Sequence, residues 1–427
     1  MFTKRRVLAL AAAAATGLVL VTGWAAGAQE PTAAPTPDRG LYRVTDAADV
    51  AARTEVASSG VDVLGARDGA MDIVASPAQA AALRSRGFAL ALTGDFDKLL
   101  AERSGGPSSR GASASGVSAA DFPAGDEGYH TYAEMVAEVQ AAASDHAAIT
   151  ALSSIGTSYE GRDMPVLKIS DNAATDEAEP EVLFTCNMHA REHLTTEMCL
   201  HIIQRFTDGY GTDPTVTGFV DSREIFVVPN LNPDGTEYDI SGGQYQGWRK
   251  NRQPNSDGTI GTDINRNFPY KWGCCGGSSG STSAEDYRGP SASSATEVAA
   301  LEAWVGGRQI KAHIDFHTFS ELVLWPFGHT YDQVTEGMTQ AEYNHFRDIG
   351  TRLASANGYT PDQSSGLYIT DGDINDWMWG THKVLTFCFE MYPSGGGIDG
   401  FYPPDENIVP QTTRNDGAVD ILLTNAG

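Results

Sequence analysis

The apolar run Val182-Leu183-Phe184-Thr185-Cys186 is followed at once by a loop containing His189-Ala190-Arg191-Glu192, and a second run, Ile314-Asp315-Phe316, ends in His317. Strand-like runs that end in polar side chains deliver them to the carboxyl edge of a sheet, where such sheets bind ligands. Two imidazoles and a carboxylate form a zinc donor set. With three protein ligands a fourth position stays open, which a catalytic zinc needs and a structural zinc lacks. Water at such a position becomes acidic enough to serve as a nucleophile near neutral pH. A His and a Glu three apart are common on solvated helices and loops, so the pair takes its meaning from the rest of the chain.

That remainder supplies Trp248-Arg249-Lys250-Asn251-Arg252, then Thr262-Asp263-Ile264-Asn265-Arg266-Asn267-Phe268, His317-Thr318-Phe319, Tyr368 and Phe387-Cys388-Phe389-Glu390. In this order and at these intervals, residues 121 to 427 resemble the zinc metallocarboxypeptidases of the A/B type, in their secreted bacterial, carboxypeptidase T-like branch. The resemblance implies that His189, Glu192 and His317 hold one Zn2+ and that Glu390 is the general base. A carboxylate ending an apolar strand needs a partner, and proton transfer at a metal site provides one. Asn265 and Arg266 match a clamp for the substrate's terminal carboxylate, a task that suits the two parallel hydrogen bonds of a guanidinium. Tyr368 matches a hydroxyl that closes over the substrate, and Arg191 a further substrate-contacting arginine. Arg249 matches the donor to the developing oxyanion. Asp263 fits the carboxylate that fixes the ring of His189. Lys250 and Arg252 read as solvated neighbours, and His313 as a packed or surface histidine.

Specificity residues follow from the same resemblance. In the family, the residue seven after the mobile tyrosine forms the pocket floor, and here it is Asn375, with Asp373 two residues before it. A carboxylate beside the floor can pair a long cation and still leave room for an apolar side chain, which implies mixed specificity for hydrophobic and basic C-terminal residues. Asp373 also reads as a turn residue beside Gly372. Phe319 stands where a tyrosine is frequent, so that hydroxyl is missing.

The elements that must position these groups alternate between strand and helix. Strand-like runs at 149–155, 165–169, 181–187, 223–228, 311–316 and 383–389, with a final helix near 411–424, predict an α/β domain with a mixed, largely parallel central sheet flanked by helices. Thr131-Tyr132-Ala133-Glu134 and Ser294-Ala295-Thr296-Glu297 both read as capping boxes. Before this domain, residues 29–103 read β-α-β-β-α-β, the order of a small α+β ferredoxin-like fold, with Asp46 and Ser76 as N-caps and Pro77 at a first helical position. The family resemblance makes that segment a pro-domain over the active site. An accessory domain is the other reading. Residues 104–120, small and polar, form a linker suited to activation by another protease. Lys4-Arg5-Arg6, an apolar stretch and Ala26-Gly27-Ala28 mark residues 1–28 as a signal peptide, hence a secreted enzyme.

Composition agrees. With 427 residues and 41% hydrophobic side chains the chain can bury a large core, and a net charge of −26 argues against nucleic acid or an anionic membrane as partner. Peptide or protein C-termini, an activating protease and a monomeric state are the expected partnerships. The acidic surface suits Ca2+ chemically, although no EF-hand-like loop is visible. Five cysteines leave at least one unpaired within a chain; Cys186 and Cys388 read as buried thiols, and Cys274-Cys275 as either bonded or reduced. Two other functions fit parts of the pattern. A cell-wall amide hydrolase would not need the Asn265-Arg266-Tyr368 clamp, and a secreted zinc-binding protein would not need Glu390.

Overall fold

The structure is a computed structural model that describes residues 37–105 and 121–427. The expected signal peptide, 1–28, and residues 106–120 of the expected linker with its cleavage point lie outside the described residues. The first part contains β1 (Gly40–Val44), α1 (Val50–Ala57), β2 (Asp62–Arg67), β3 (Ala70–Ala75), α2 (Pro77–Ser85), β4 (Leu90–Asp95) and α3 (Phe96–Arg103). Its strands pair antiparallel in the order β2-β3-β1-β4, the split β-α-β order read from the sequence. Alternate residues of β1 turn Tyr42 and Val44 onto Val56 of α1 and Leu83 of α2. Ser76 caps α2 in a reciprocal box with Gln79, and Pro77 sits at its first position. Asp46 is not the cap of α1. Asp49 accepts from Ala52 N instead, while Asp46 accepts from Ala89 N and ties the start of that helix segment to the approach to β4. Phe96 and Leu100 of α3, with Leu64 and Val74, join the larger core of the second part, so the two parts share buried apolar surface.

The second part runs α4 (Tyr132–Asp145), β5 (Thr150–Thr157), β6 (Asp163–Ile169), β7 (Glu181–Cys186), α5 (His193–Gly209), α6 (Pro214–Val220), β8 (Glu224–Val228) and α7 (Pro233–Asp239). After a long irregular stretch come α8 (Thr296–Val305), β9 (Ile310–Thr318), β10 (Leu322–Trp325), α9 (Gln340–Asn357), β11 (Thr360–Gln363), α10 (Ile374–His382), β12 (Leu385–Met391), α11 (Ile408–Thr413) and α12 (Asp416–Asn425). The eight strands pair in the order β11-β10-β12-β9-β7-β8-β6-β5. The central β12-β9-β7-β8 run is parallel, and the β10–β12, β8–β6 and β6–β5 pairs are antiparallel. Strands covered on both faces need apolar residues at successive positions. Val182 and Phe184 of β7 accordingly enter one core with α5, α9 and α12, while Leu183 enters the other with α8 and α10. No described helix is long and apolar enough to cross a membrane.

Two further expectations fail for tertiary reasons. Ser294-Ala295-Thr296-Glu297 is not a capping box: Ala295 is the N-cap of α8, and Glu297 instead accepts from Asn251 Nδ2 and Tyr159 N. Cys186 is no free thiol. It is bonded to Cys199 on α5, with Cα atoms 6.3 Å apart, and Cys274 is bonded to Cys275, leaving Cys388 as the free cysteine. The first bridge closes the loop that carries His189, Arg191 and Glu192. Closing a loop of this length removes chain entropy worth about 3 kcal/mol from the unfolded state. Cys199→Ala is therefore expected to lower the unfolding free energy by about that amount in a urea titration, and an unchanged midpoint would leave the bridge without a stabilising role.

Candidate metal centre and active-site cleft

The carboxyl ends of β7, β9 and β12 reach one edge of the sheet, and each brings part of a polar cluster. The loop after β7 presents His189 and Glu192, β9 presents His317, and β12 places Glu390 beside His317 in the strand register. His189 Nδ1 lies 2.9 Å from Glu192 Oε1, His317 Nδ1 lies 2.9 Å from Glu192 Oε2, and the two Nδ1 atoms are 3.1 Å apart. All three side chains are buried. Burial opposes ionisation of Glu192, but the His189 and His317 rings hold its carboxyl below the ordinary range. Two imidazole nitrogens that close cannot both point protons at each other, and a cation between them and the carboxylate removes the conflict. Among the described residues this donor set fits zinc with three protein ligands.

The rings are held from behind. His317 Nε2 lies 2.6 Å from Asp315 Oδ2, and His189 Nε2 lies 3.3 Å from Asp263 Oδ1, a looser contact. Asp263 Oδ2 accepts from Nε and Nη2 of Arg249, so one carboxylate joins a ring and a guanidinium. Burial works against the charge on Asp263, yet Arg249 and His189 hold its carboxyl well below the usual range. Sequence reasoning found Asp263 and missed Asp315. The signal was present, because Asp315 and His317 are two apart on a strand and share a face. The same face holds His313, packed between Thr185 Oγ1 at 2.8 Å and Thr386 Oγ1 at 2.9 Å. Burial lowers the His313 pKa to about 4, so the ring is neutral at physiological pH. Thr185 reaches on to Asp315 and Thr386 to Asn375, which makes a continuous polar ladder from Asn375 to His317.

One cleft is lined by His189, Glu192, His317, Arg249, Asn265, Arg266, Tyr368, Asp373, Asn375 and Glu390. Burial pushes the Glu390 carboxyl up to about 7; His317 and Arg249 pull against the rise and Glu192 adds to it. Asn265 Oδ1 accepts from Ile374 N, and Arg266 donates to the carbonyls of Gly277 and Asn265. Asp373 is the N-cap of α10: Oδ1 accepts from Asp376 N and Oδ2 from Thr370 Oγ1, while the side chain still lines the cleft. Asp373 thus caps α10 and lines the cleft at once.

Arg191 is placed elsewhere than expected. Its guanidinium is fully buried, donates from Nη1 and Nη2 to Asp62 of β2 at 2.6 and 2.7 Å, and stacks 4.0 Å from the Phe401 ring, outside the lining of the cleft. Above it, Val63, Leu64 and Gly65 of β2 form part of the cleft wall. α1 grips the Tyr368 loop: Arg53 donates to the Leu367 and Gly366 carbonyls at 2.7 Å each, and Ile369 N donates to Thr54 Oγ1. For calcium the structure offers Asp171, Glu177 and Glu179, an acidic group at the surface that carries no assignment.

A family model described as zinc carboxypeptidase matches residues 135–416. The chain belongs to the zinc carboxypeptidase family. It is 50% identical to a zinc carboxypeptidase of Saccharothrix mutabilis subsp. capreolus over 99% of this chain and 96% of that protein. It is 31% identical to bovine carboxypeptidase A1 over 66% of each chain, and 30% identical to human carboxypeptidase B over 66% of this chain and 67% of that one. Its fold is similar to that of carboxypeptidase A from Helicoverpa armigera, with a TM-score of 0.75 at 21% identity, covering 91% of this chain and 97% of the other. The chain is thus a zinc-dependent metallocarboxypeptidase, an exopeptidase that takes peptide C-termini as substrate.

Proposed function

We propose that this carboxypeptidase is exported, held inactive by residues 29–103, released by a protease that cuts within 104–120, and trims both hydrophobic and basic C-terminal residues as a monomer. The observation that carries the catalytic reading is the convergence of His189, Glu192, His317, Glu390, Arg249, Arg266 and Tyr368 on one cleft. His189, Glu192 and His317 would hold the zinc, which supplies Lewis acidity and lowers the pKa of water. The residues of the chain do the rest. Arg266 and Asn265 bind the terminal carboxylate and Tyr368 closes over it, which aligns the last peptide bond. Arg249, preorganised by Asp263, donates to the oxygen that gains charge as the carbonyl carbon becomes tetrahedral. Glu390 accepts the proton of the attacking water and gives it to the amine nitrogen as the C–N bond breaks.

Support for the inhibitory role comes from β2 in the cleft wall, the buried Asp62–Arg191 pair and the hold of Arg53 and Thr54 on the Tyr368 loop. Residues 1–28 support export through their basic, apolar and small-residue order.

The experiment compares release of the last residue from two peptides, one ending in Leu and one in Arg, by protein cut within 104–120, with and without a zinc chelator. Chelator-sensitive release of both is expected. Release of one alone would sink mixed specificity, and release of neither by the zinc-loaded, cleaved protein would sink the catalytic reading.

The same peptides test Asp373 through pH. Burial pushes its carboxyl up to about 7, the Asp376 charge adds to the rise, and Arg266 opposes it; Asp376 is itself paired with His329. Below that value Asp373 is neutral and above it anionic, so release of C-terminal Arg relative to C-terminal Leu should rise with pH. Between roughly pH 6 and pH 8 the ionised fraction changes about tenfold, which bounds the change in the ratio of the two kcat/KM values. Titrations common to both substrates cancel in that ratio. A flat ratio would leave Asp373 as a helix cap alone.

A further inference from the structure

Asp371 belongs to none of the roles above, yet it is completely buried and its carboxylate is saturated from one direction. Oδ2 accepts from Cys275 N at 3.0 Å and from Gly277 N at 2.9 Å, and Oδ1 accepts from the Ser278 hydroxyl. All three donors lie in the glycine-rich loop 273–280, while Asp371 lies in the loop 367–373 that carries Tyr368 and leads into α10. One carboxylate therefore stitches two irregular segments that have no strand or helix to align them. Gly277 then passes the restraint on: its N–H goes to Asp371, and its carbonyl accepts from Arg266 Nε at 3.1 Å.

Packing around Arg266 points the same way. A Cβ on Gly277 would stand 2.3 Å from the Thr370 carbonyl carbon, so the two loops touch backbone to backbone. On the other side, Gly372 has φ +67°, and a Cβ there would stand 2.5 Å from the Arg266 carbonyl oxygen. Phe268 N also donates to the Gly372 carbonyl at 2.9 Å. Arg266 is thus enclosed by two loops whose spacing Asp371 sets. A guanidinium recognises a carboxylate through two parallel hydrogen bonds, so a small rotation about its axis costs binding.

We infer that Asp371 is a positioning residue for carboxylate recognition: by anchoring Cys275, Gly277 and Ser278 it fixes the Gly277 carbonyl that orients Arg266 towards the C-terminus of the substrate. This rests on the reading of Arg266 as the carboxylate clamp. Two of the three donors, Cys275 N and Gly277 N, share Oδ2 and can only donate, while the Ser278 hydroxyl donates to Oδ1. An amide of the same shape would lose the charge that strengthens all three bonds and would have to reverse the one to Ser278.

The test uses the full chain cut within 104–120, with the variants Asp371→Asn, Ser278→Ala and Arg266→Ala. Steady-state kinetics are measured on a peptide with a free C-terminal carboxylate, together with inhibition by a short free-acid peptide and by its C-terminal amide. Asp371→Asn should raise KM about tenfold with kcat within about threefold, the pattern of lost binding common to ground and transition states. It should weaken inhibition by the acid and leave inhibition by the amide unchanged, which general loosening would not do. Ser278→Ala should shift the same quantities in the same direction by about threefold. Equal weakening of acid and amide, or an unchanged KM in Asp371→Asn while Arg266→Ala loses acid binding, would overturn the inference and leave the clamp reading intact. If Arg266→Ala itself binds acid and amide as the parent does, the clamp reading fails and this inference falls with it. Should Asp371→Asn fail to fold, Ser278→Ala decides: an unchanged KM overturns the inference.

Discussion

Glu390→Gln should lower kcat about a thousandfold while leaving zinc content and thermal unfolding close to those of the parent, within the range of general acid–base contributions. The substitution keeps the shape of the side chain and removes its ability to take a proton. Glu390 sits at a strand register position opposite His317, with the residue half-buried and its carboxyl packed inside the cleft and raised to about 7 chiefly by burial. A carboxylate partly kept from water at the end of an apolar strand costs stability unless it is paired, and a catalytic role explains why such a cost is retained. The amide removes that cost, so Glu390→Gln is expected to be at least as stable as the parent above pH 7, where the parent carries the buried charge. The sign follows from the direction of the shift: a folded pKa above the unfolded value gives stability that fades as pH rises through the folded pKa. Single-turnover release of the terminal residue measures the rate, and metal analysis with a thermal melt checks the fold. Loss of zinc together with activity would instead place Glu390 among the groups that hold the metal. A variant retaining more than about a tenth of kcat would remove it from proton transfer altogether.

The legibility of this chain divides along a physical line. Strands buried on both faces must be apolar at successive positions, so β7, β8, β9 and β12 stood out, and with them the edge to which His189, Glu192, His317 and Glu390 are delivered. The short strands β10 and β11 did not: the four apolar residues Leu322–Trp325 are too short a run to tell strand from helix, and Thr360-Pro361-Asp362-Gln363 at the sheet edge carries no alternation and takes its conformation from pairing with Leu322–Trp325. Local signals failed where a distant partner outbid the local one. Glu297 follows Ser294 as a capping box requires, but Asn251 and Tyr159 claim its carboxylate. Cys186 read as a small apolar side chain because nothing in the sequence places Cys199 beside it; that proximity comes from α5 folding back over β7. Arg191 is the same lesson inside the metal motif. Its family role pointed to the substrate, while its partner here is Asp62, 129 residues earlier in the chain.

That partnership carries the second large effect. Asp62→Asn in the uncut chain is expected to raise activity by more than about a hundredfold, because removing one member of a buried ion pair costs about 3–5 kcal/mol and the cost falls on the closed arrangement alone. The guanidinium of Arg191 has no exposure, and its hydrogen bonds to Asp62 are supplemented by the Phe401 ring and the Gly247 carbonyl. Burial alone would favour the neutral form of Arg191. Asp62 more than offsets it, and the pKa is raised instead. With the N-terminal part displaced, Arg191 regains water, so the unpaired charge is tolerated in the open state and penalised in the closed one. The contacts of Arg53 with the Gly366 and Leu367 carbonyls and of Thr54 with Ile369 N remain in Asp62→Asn, so the variant should still fold around β2 but open more often. Arg191→Met distinguishes an inhibitory latch from mere packing: the double variant Asp62→Asn, Arg191→Met should recover part of the inhibition, since replacing both partners of a buried pair costs less than stranding one. Activity of the uncut chain towards a Leu-terminated peptide, with the cut enzyme as the upper limit, gives the measure. If uncut Asp62→Asn is as inactive as its parent, the ion pair does not hold the cleft closed and β2 must do so through Val63, Leu64 and the grip on the Tyr368 loop. If the uncut parent is already as active as the cut enzyme, residues 29–103 are not inhibitory, and the buried pair is then a structural seam between two parts of one folded unit.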